Sequence, residues 1–403
     1  MSWIERNVPA GTGRYLAVLF ALLLFSLEAP AFETGPPEES EIWLVTYGPG
    51  EVYWQRFGHN AIWVRDSRLG LDHTFNYGFF DFEQENFFLR FLMGRMLYFS
   101  AAQEAGVEFA QYTAENRDIR AQRLELEAGQ KEDLIRYLLE DIQPENRDYL
   151  YDYYRNNCST RVRDALDMAI GGVLKVSSDS IAAPQTWRDH TRRLTAGDFW
   201  LYLGLESALG LYVDRPISLW DEMFIPGVLA QAVGEDSSWV SEDRMLFEST
   251  LQAPPDHPPT VWPRYLLASL AVLALAWFLA RWLPASAMAR TWFALSGLAG
   301  LLILFFWFGT DHLVAGLNMN ILVFNPAWLV FVFWKRSWRL ALPVVAVVSS
   351  ASFAIALLPG QYTADVVAAF LPLSLAAARA LSSAKNTKMF AVGVSQKQTP
   401  DCS

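Results

Sequence analysis

Cys158 and His59 are the two residues around which chemistry could be built. Cys158 lies in Asn156-Asn157-Cys158-Ser159-Thr160-Arg161-Val162-Arg163. Asn156 or Asn157 can serve as an N-cap, and Val162, Ala165, Leu166 and Ala169 recur as one apolar helical stripe before Gly171-Gly172. The thiol therefore opens a helix, among unpaired N–H groups and with Arg161 and Arg163 on the same turns, a setting that favours thiolate. A nucleophilic cysteine also needs an imidazole base, itself oriented by a third polar group. Of the five histidines, His190 and His257 stand in polar or linker surroundings, whereas His59 begins an apolar strand directly after Gly58. A lone cysteine is as often a small buried hydrophobe, so the reading holds only if the fold joins the two side chains.

The elements that would position them are short. Ile42–Tyr47 reads as a buried strand ended by Gly48-Pro49-Gly50, Ala61–Arg65 as a second and Thr74–Gly78 as a third. Together they predict a small antiparallel sheet. In the second strand His59, Ala61 and Trp63 share a face. The third offers Asp72, His73 and Asn76 as orienting groups. His73 lies with Phe75 and Tyr77, while Asp72 and Asn76 lie on the opposite face with Thr74, so only one set can reach His59. The alternation in 116–128 predicts a further strand, and Lys131–Glu140 a short helix ahead of Pro144. The aromatic-rich 79–99 reads as a loop and a helix. A histidine on a strand followed roughly a hundred residues later by a cysteine at a helix start is the order of a circularly permuted papain-like, NlpC/P60-type domain. The fold class expected is α+β, with an all-α membrane part.

Composition supplies that second part. The 403 residues are 52% hydrophobic with a net charge of −11. From residue 263 onward Lys and Arg outnumber Asp and Glu, so 33–262 carries the acidic excess. An acidic domain beside a basic hydrophobic one predicts an exported domain on a membrane anchor. With no basic face to neutralise phosphates, nucleic acid is excluded as a partner. No His/Asp/Glu cluster has ligand spacing, so no metal or other cofactor is expected. Residues 1–31, with the apolar run Tyr15–Leu27 and then Ala29-Pro30-Ala31, read as a signal peptide or an uncleaved anchor. The domains expected are 32–172 with the Cys/His pair, a helical extension over 173–253, a Pro-rich linker over 254–262, a membrane region over 263–381 and a cytoplasmic tail over 382–403. Near-uncharged runs at Arg264–Trp282, Thr291–Phe308, Ile321–Trp334, Leu340–Leu358 and Ala364–Ala380 predict five spans. The third is short and interrupted by Pro326. Arg281, Arg290, Lys335, Arg336, Arg339, Arg379, Lys385 and Lys388 then all fall on the side away from the acidic domain, as the positive-inside rule requires. One outer loop carries Asp311-His312, Asn318, Asn320 and Asn325-Pro326. Polar groups at a membrane entry are costly unless they face protein or a cavity, which predicts that these hold substrate or dock the exported domain.

Taken together, Leu44-Val45-Thr46-Tyr47-Gly48-Pro49-Gly50, Phe57-Gly58-His59-Asn60-Ala61, Phe75-Asn76-Tyr77-Gly78 and Asn157-Cys158-Ser159-Thr160-Arg161 resemble the Lnb-type periplasmic domain family. The loop from Asp311 to Pro326 resembles the membrane half of the same proteins. The resemblance implies a bacterial cytoplasmic-membrane enzyme with its Cys158/His59 domain outside and its C-terminus inside. It would move an acyl chain from a lipid ester, through a Cys158 thioester, to the α-amino group of a lipoprotein. Its partners would be membrane lipid and a lipidated protein. Asn157 or Arg161 would assist as oxyanion or orienting groups beside Asn76, Asp72 and His73, with Asp72 and Asn76 nearer to a family motif position than His73. His312, Asn318, Asn320 and Asn325 would form the lipid-side loop. Two other readings remain: a papain-like peptidase or amidase on cell-wall peptides, and a non-enzymatic, membrane-anchored binding protein in which His59 and Cys158 need not meet.

Overall fold

The computed structural model describes residues 40–66, 71–235, 238–358 and 363–394. The expected signal segment and the last residues of the expected tail, 395–403 with Cys402, lie outside the described residues, while the first part of that tail continues the last helix to Val394. The first half is built on a seven-stranded antiparallel sheet in the order β6-β4-β3-β2-β1-β5-β7. Its strands are β1 (Glu41–Tyr47), β2 (His59–Asp66), β3 (Leu71–Phe79), β4 (Leu97–Glu104), β5 (Ile119–Leu124), β6 (Asp148–Leu150) and β7 (Val240–Phe247). The interior strand β1 is buried on both faces. One face carries Ile42, Leu44, Ile62, Val64, Phe75 and Tyr77, and packs on helices α3 (Ala128–Asp141) and α4 (Cys158–Ala169). The other carries Trp43, Val45, Tyr47, Ala61 and Trp63. It is covered by Phe109 and Tyr112 of α2 (Ala105–Ala114). Between β3 and β4 stands the short apolar helix α1 (Phe87–Met93).

The 173–253 region is not only helical. Helices α5 (Val173–Ser178), α6 (Trp187–Thr195), α7 (Phe199–Ala208), α8 (Leu219–Glu222) and α9 (Pro226–Glu235) are followed by β7, which pairs with β5 at the sheet edge. Its residues Ser241, Asp243 and Arg244 are exposed, as edge strands tend to be, so no apolar alternation announces it. The helices enclose a charged centre. Arg188 bonds Asp214 at 2.5 Å and Glu206 at 3.4 Å, and Arg192 bonds Glu206 at 2.5 Å.

Among the described residues the membrane part has four helices long and apolar enough to cross a bilayer. They lie within α10 (Trp262–Leu279), α11 (Ala285–Gly309), α13 (Trp338–Ala356), with the preceding short turn from Lys335, and α14 (Ala364–Val394). The third expected span, Ile321–Trp334, is no continuous helix. It is broken into short turns and α12 (Leu329–Phe333), because Asn325-Pro326 interrupts it and Pro326 has no N–H to continue a helix. The segment nevertheless descends along α11. Val323 and Phe324 pack with Ile303, Phe331 with Phe293 at 5.1 Å, and Arg290 Nε donates to the Val332 carbonyl at 3.1 Å.

Domain and membrane part are joined by polar contacts at one end of the bundle. Asn318 and Asn320 donate to the carbonyls of Glu206, Ser207 and Ala208, satisfying the open C-terminus of α7. The Gly210 N–H donates to the Val314 carbonyl, and a Cβ on Gly210 would stand 1.8 Å from the Gly316 carbonyl oxygen, so only glycine fits there. Tyr202 donates to Asp365 at the start of α14, and Arg264 of α10 to the Ala196 carbonyl.

Candidate active site

The site is assembled where the start of β2 meets the start of α4. Asn157 caps α4 by accepting from the Thr160 N–H at 2.9 Å, and its amide donates to the carbonyls of Tyr153 and Phe224. Ser159 donates to the Asn60 side chain at 2.8 Å and to the Met223 carbonyl, which clamps the first turn of the helix against β2. The backbone N–H groups of Asn60, Ser159 and Cys158 itself favour the charged form of the sulfur. Asn60 is the residue next to His59, so the start of the strand that carries the imidazole stands beside the cysteine. Gly78 of β3 lies beside the cysteine with φ +101°. A Cβ there would be 3.6 Å from that of Cys158 and strained in this backbone conformation.

His59 is fixed by a chain of partners on the α2 side of the sheet. Its Nε2 bonds Asn76 Oδ1 at 2.8 Å. The Asn76 amide donates in turn to Glu108 Oε2 at 2.6 Å, and Glu108 also accepts from Tyr47 at 2.5 Å and from the Thr74 hydroxyl. Since the Asn76 nitrogen faces a carboxylate, its oxygen faces the ring, and Nε2 carries the proton. Nδ1 is then the lone-pair nitrogen. The rings of Tyr47 and Tyr112 stack on the imidazole at 5.9 and 6.3 Å.

Electrostatics differ from the expectation of a resting thiolate. Burial pushes the Cys158 thiol up to about 11, against the three backbone donors and the Arg117 charge, which act the other way. Burial likewise brings His59 down to about 4, only partly opposed by its bond to Asn76. Desolvation disfavours both charged forms and outweighs the helix terminus. The resting pair is neutral thiol and neutral imidazole. Burial also raises the phenols of Tyr112, Tyr149 and Tyr151, each of which feels the cysteine charge, so the surrounding wall is neutral too. Part of the Cys158 surface remains open.

The structure separates the other sequence candidates. Asn76, and not Asp72 or His73, bonds His59. Asp72 accepts from Trp63 Nε1 at 2.5 Å, and His73 lies on the opposite face of β3, opposite Val64. Asn157 is consumed as a cap. Arg161 lies over the rings of Tyr149 at 4.2 Å and Tyr77 at 5.6 Å, and Arg163 bonds Asp164 and the Trp220 carbonyl. His312 Nε2 bonds the Phe91 carbonyl of α1 at 2.9 Å, and Asn325 caps its own turn by accepting from the Ala327 N–H. The lipid-side loop thus docks the domain through His312, Asn318 and Asn320. Glu108 and Tyr47 were not among the sequence candidates. A carboxylate amid Val107, Phe109 and Tyr112 in an otherwise apolar stretch was the available signal. Among the described residues no group of three or more His, Cys, Asp and Glu side chains is placed to hold a metal.

Comparison with known families decides the affiliation. Residues 29–193 match the Lnb N-terminal periplasmic domain and residues 258–387 the Lnb transmembrane domain, in that order and over most of the chain. The chain belongs to the Lnb family. It is a membrane protein with a periplasmic α+β domain and a C-terminal helical membrane part. No curated protein and no solved structure gives a significant match.

Proposed function

We propose that this Lnb-family protein is a cysteine acyltransferase that takes an acyl chain from a lipid ester and passes it to an amine, the α-amino group of a membrane lipoprotein. The observation that carries the reading is the relay Glu108–Asn76–His59 on the strand whose next residue, Asn60, is bonded by Ser159 in the first turn of the Cys158 helix. In the family setting it has the parts of a Cys–His–Asn nucleophile on a permuted papain-like domain.

The chemistry starts from a neutral pair. As the sulfur attacks the ester carbonyl, His59 Nδ1 takes the thiol proton, so no free thiolate has to persist in the buried site. The first-turn N–H groups of Cys158 and Ser159 lie at the carbonyl oxygen as it gains charge. The alcohol leaves with the proton from the imidazolium, and the acyl group stays on Cys158 as a thioester. The amine then attacks this thioester, gives a proton to His59 and carries away the acyl group, while the sulfur regains its proton. A site attached to spanning helices lets the acyl chains remain in the bilayer while the ester rises to the domain. The protein stands in the cytoplasmic membrane, with the positively charged loops and the C-terminus on the cytoplasmic side.

The test is mass spectrometry of lipoprotein N-terminal peptides from cells with the protein, without it and with Cys158→Ala. The expected result is an N-acyl group present only with the intact cysteine, together with a hydroxylamine-sensitive acyl label on Cys158. An acylation pattern identical in all three strains overturns the proposal. If cell-wall peptides change instead, the same pair serves peptide hydrolysis.

A further inference from the structure

The residues of α1 are FFLRFLM, and the helix buries almost none of them. Phe88 is 78% exposed, Leu89 57% and Phe91 46%, with Phe82 of the preceding loop at 63%. A cluster of this kind on a soluble surface needs a partner. Its surroundings identify one. The carbonyls of Phe91 and Met93 accept from His312 and from the Asp311 N–H, and Arg95 pairs with Asp311 at 2.6 Å. Asp311 and His312 follow the end of α11, one of the helices long enough to span a bilayer, and the His312 ring meets Phe306 of that helix at 5.6 Å. The exposed apolar helix is therefore tethered at the level where a membrane helix leaves the lipid. Arg90 is the one charged residue of α1, and its long stem allows the guanidinium to reach the headgroups.

From α1 a row of rings runs to Tyr151, on the segment that leads into the cysteine helix. Phe87 meets Phe80 at 6.2 Å, Phe80 meets Tyr98 at 5.3 Å, and Tyr98 stacks on Tyr151 at 4.2 Å. Tyr151 lies in the segment that leads into α4, and it packs against the same core cluster as Cys158. We propose that α1 and the Phe80–Phe82 loop are inserted in the leaflet on the domain's side, and that the ring row from Phe87 to Tyr151 guides a lipid acyl chain to Cys158. The partner is the bilayer itself, through its acyl chains. The insertion follows from the tether and the exposed rings. The guiding role rests on the acyl-transfer reading above.

A nitroxide at residue 88 tests the insertion. It is attached through Phe88→Cys in the full chain with Cys158→Ala and Cys402→Ser, and reconstituted in vesicles of phosphatidylethanolamine and phosphatidylglycerol. A second label at Val176→Cys serves as the water-facing reference, since Val176 is 81% exposed on α5. The expected result is a label at 88 reached by oxygen but not by a water-soluble nickel chelate. Equal access of the chelate to both positions overturns the insertion. A phospholipid with a mid-chain diazirine tests the row. Crosslinks to peptides containing Phe80–Met93 and Tyr98 are expected, whereas crosslinks to the spanning helices alone overturn it. Neither measurement uses catalysis, so a failed transferase assay and a failed insertion are distinguishable.

Discussion

Asn76 turns its oxygen to His59 Nε2 at 2.8 Å and its nitrogen to Glu108 at 2.6 Å, so a buried carboxylate two bonds away sets the tautomer of the ring. A carboxylate bonded directly to the ring would favour imidazolium. With an amide interposed, the orienting effect is kept and the added charge is not, which suits a base that rests neutral.

That relation yields a first prediction. Asn76→Ala removes the acceptor for Nε2–H and lets the ring turn, so turnover falls on the order of 10² while KM changes little. Asn76→Asp places a carboxylate on the ring. It should raise the histidine above its present value of about 4 and move the acid limb of the pH profile upward. Measured kcat and its pH dependence check both variants. An unchanged acid limb in the aspartate variant removes Asn76 from the orienting role.

The ionisation of the pair gives a second. The base must be neutral, so activity should hold from about pH 8 down to pH 5 and fall as the imidazole protonates near 4. Iodoacetamide should label Cys158 slowly at pH 7 and ever faster towards pH 11, unlike a cysteine protease held as an ion pair. The stability signs are opposite for the two groups. A histidine with a lowered value stabilises the fold above 6.5, and that contribution is lost as the pH falls towards 4. A cysteine with a raised value contributes below 9, and that contribution is lost as the pH rises towards 11. Thermal unfolding of the wild type and Cys158→Ala across this range checks the second sign, since the variant should lose less stability above pH 9.

Glu108 supports a third. Replacement by Leu leaves Tyr47, Thr74 and Asn76 without their shared acceptor, each unmet buried group costing about 1–3 kcal/mol. Glu108→Gln keeps an acceptor oxygen and should be milder in stability, yet still reduce turnover, because the Asn76 amide can then flip. Denaturation midpoints and turnover for both variants separate the structural from the positioning effect.

The elements that carry His59 and Cys158 are legible in the sequence because each depends on local pattern. His59 follows a glycine at the start of an alternating strand, and Cys158 opens a stripe with period 3.6. Which face of β3 meets α2 separates His73 from Asp72 and Asn76, and the register with β2, which pairs Asn76 with Ala61 and Asp72 with Arg65, separates those two; neither is a local feature of the sequence. The resting state of the thiol differs from the local expectation for a related reason. A helix terminus is a local feature, whereas the desolvation that outweighs it comes from burial in the folded domain. The edge strand β7 stayed hidden because half its surface faces water. The third span shows the reverse case: Pro326 was plain in the sequence, but only packing along α11 explains how a broken segment is held at that depth.

The remaining prediction concerns the coupling of the two halves. Asn318 and Asn320 close the C-terminus of α7, and Arg188 holds Glu206 of that helix together with Asp214. Arg192 then connects Glu206 to Asp365 of the last span. Arg188→Met leaves the buried Asp214 without its cation while Glu206 keeps Arg192, a loss of about 3–5 kcal/mol. Asn320→Ala only exposes the Glu206 and Ser207 carbonyls to an unfilled gap, at about 1–3 kcal/mol. If the domain is held in register with the bilayer by this network, both variants should lower the unfolding temperature of the detergent-solubilised protein, Arg188→Met the more. Asn320→Ala should also increase proteolysis in the 254–262 linker, while hydrogen exchange in the β1–β2 core stays as in the wild type. Loss of protection spread evenly through the sheet would mean that these residues serve the domain fold as a whole and not its seating on the membrane helices.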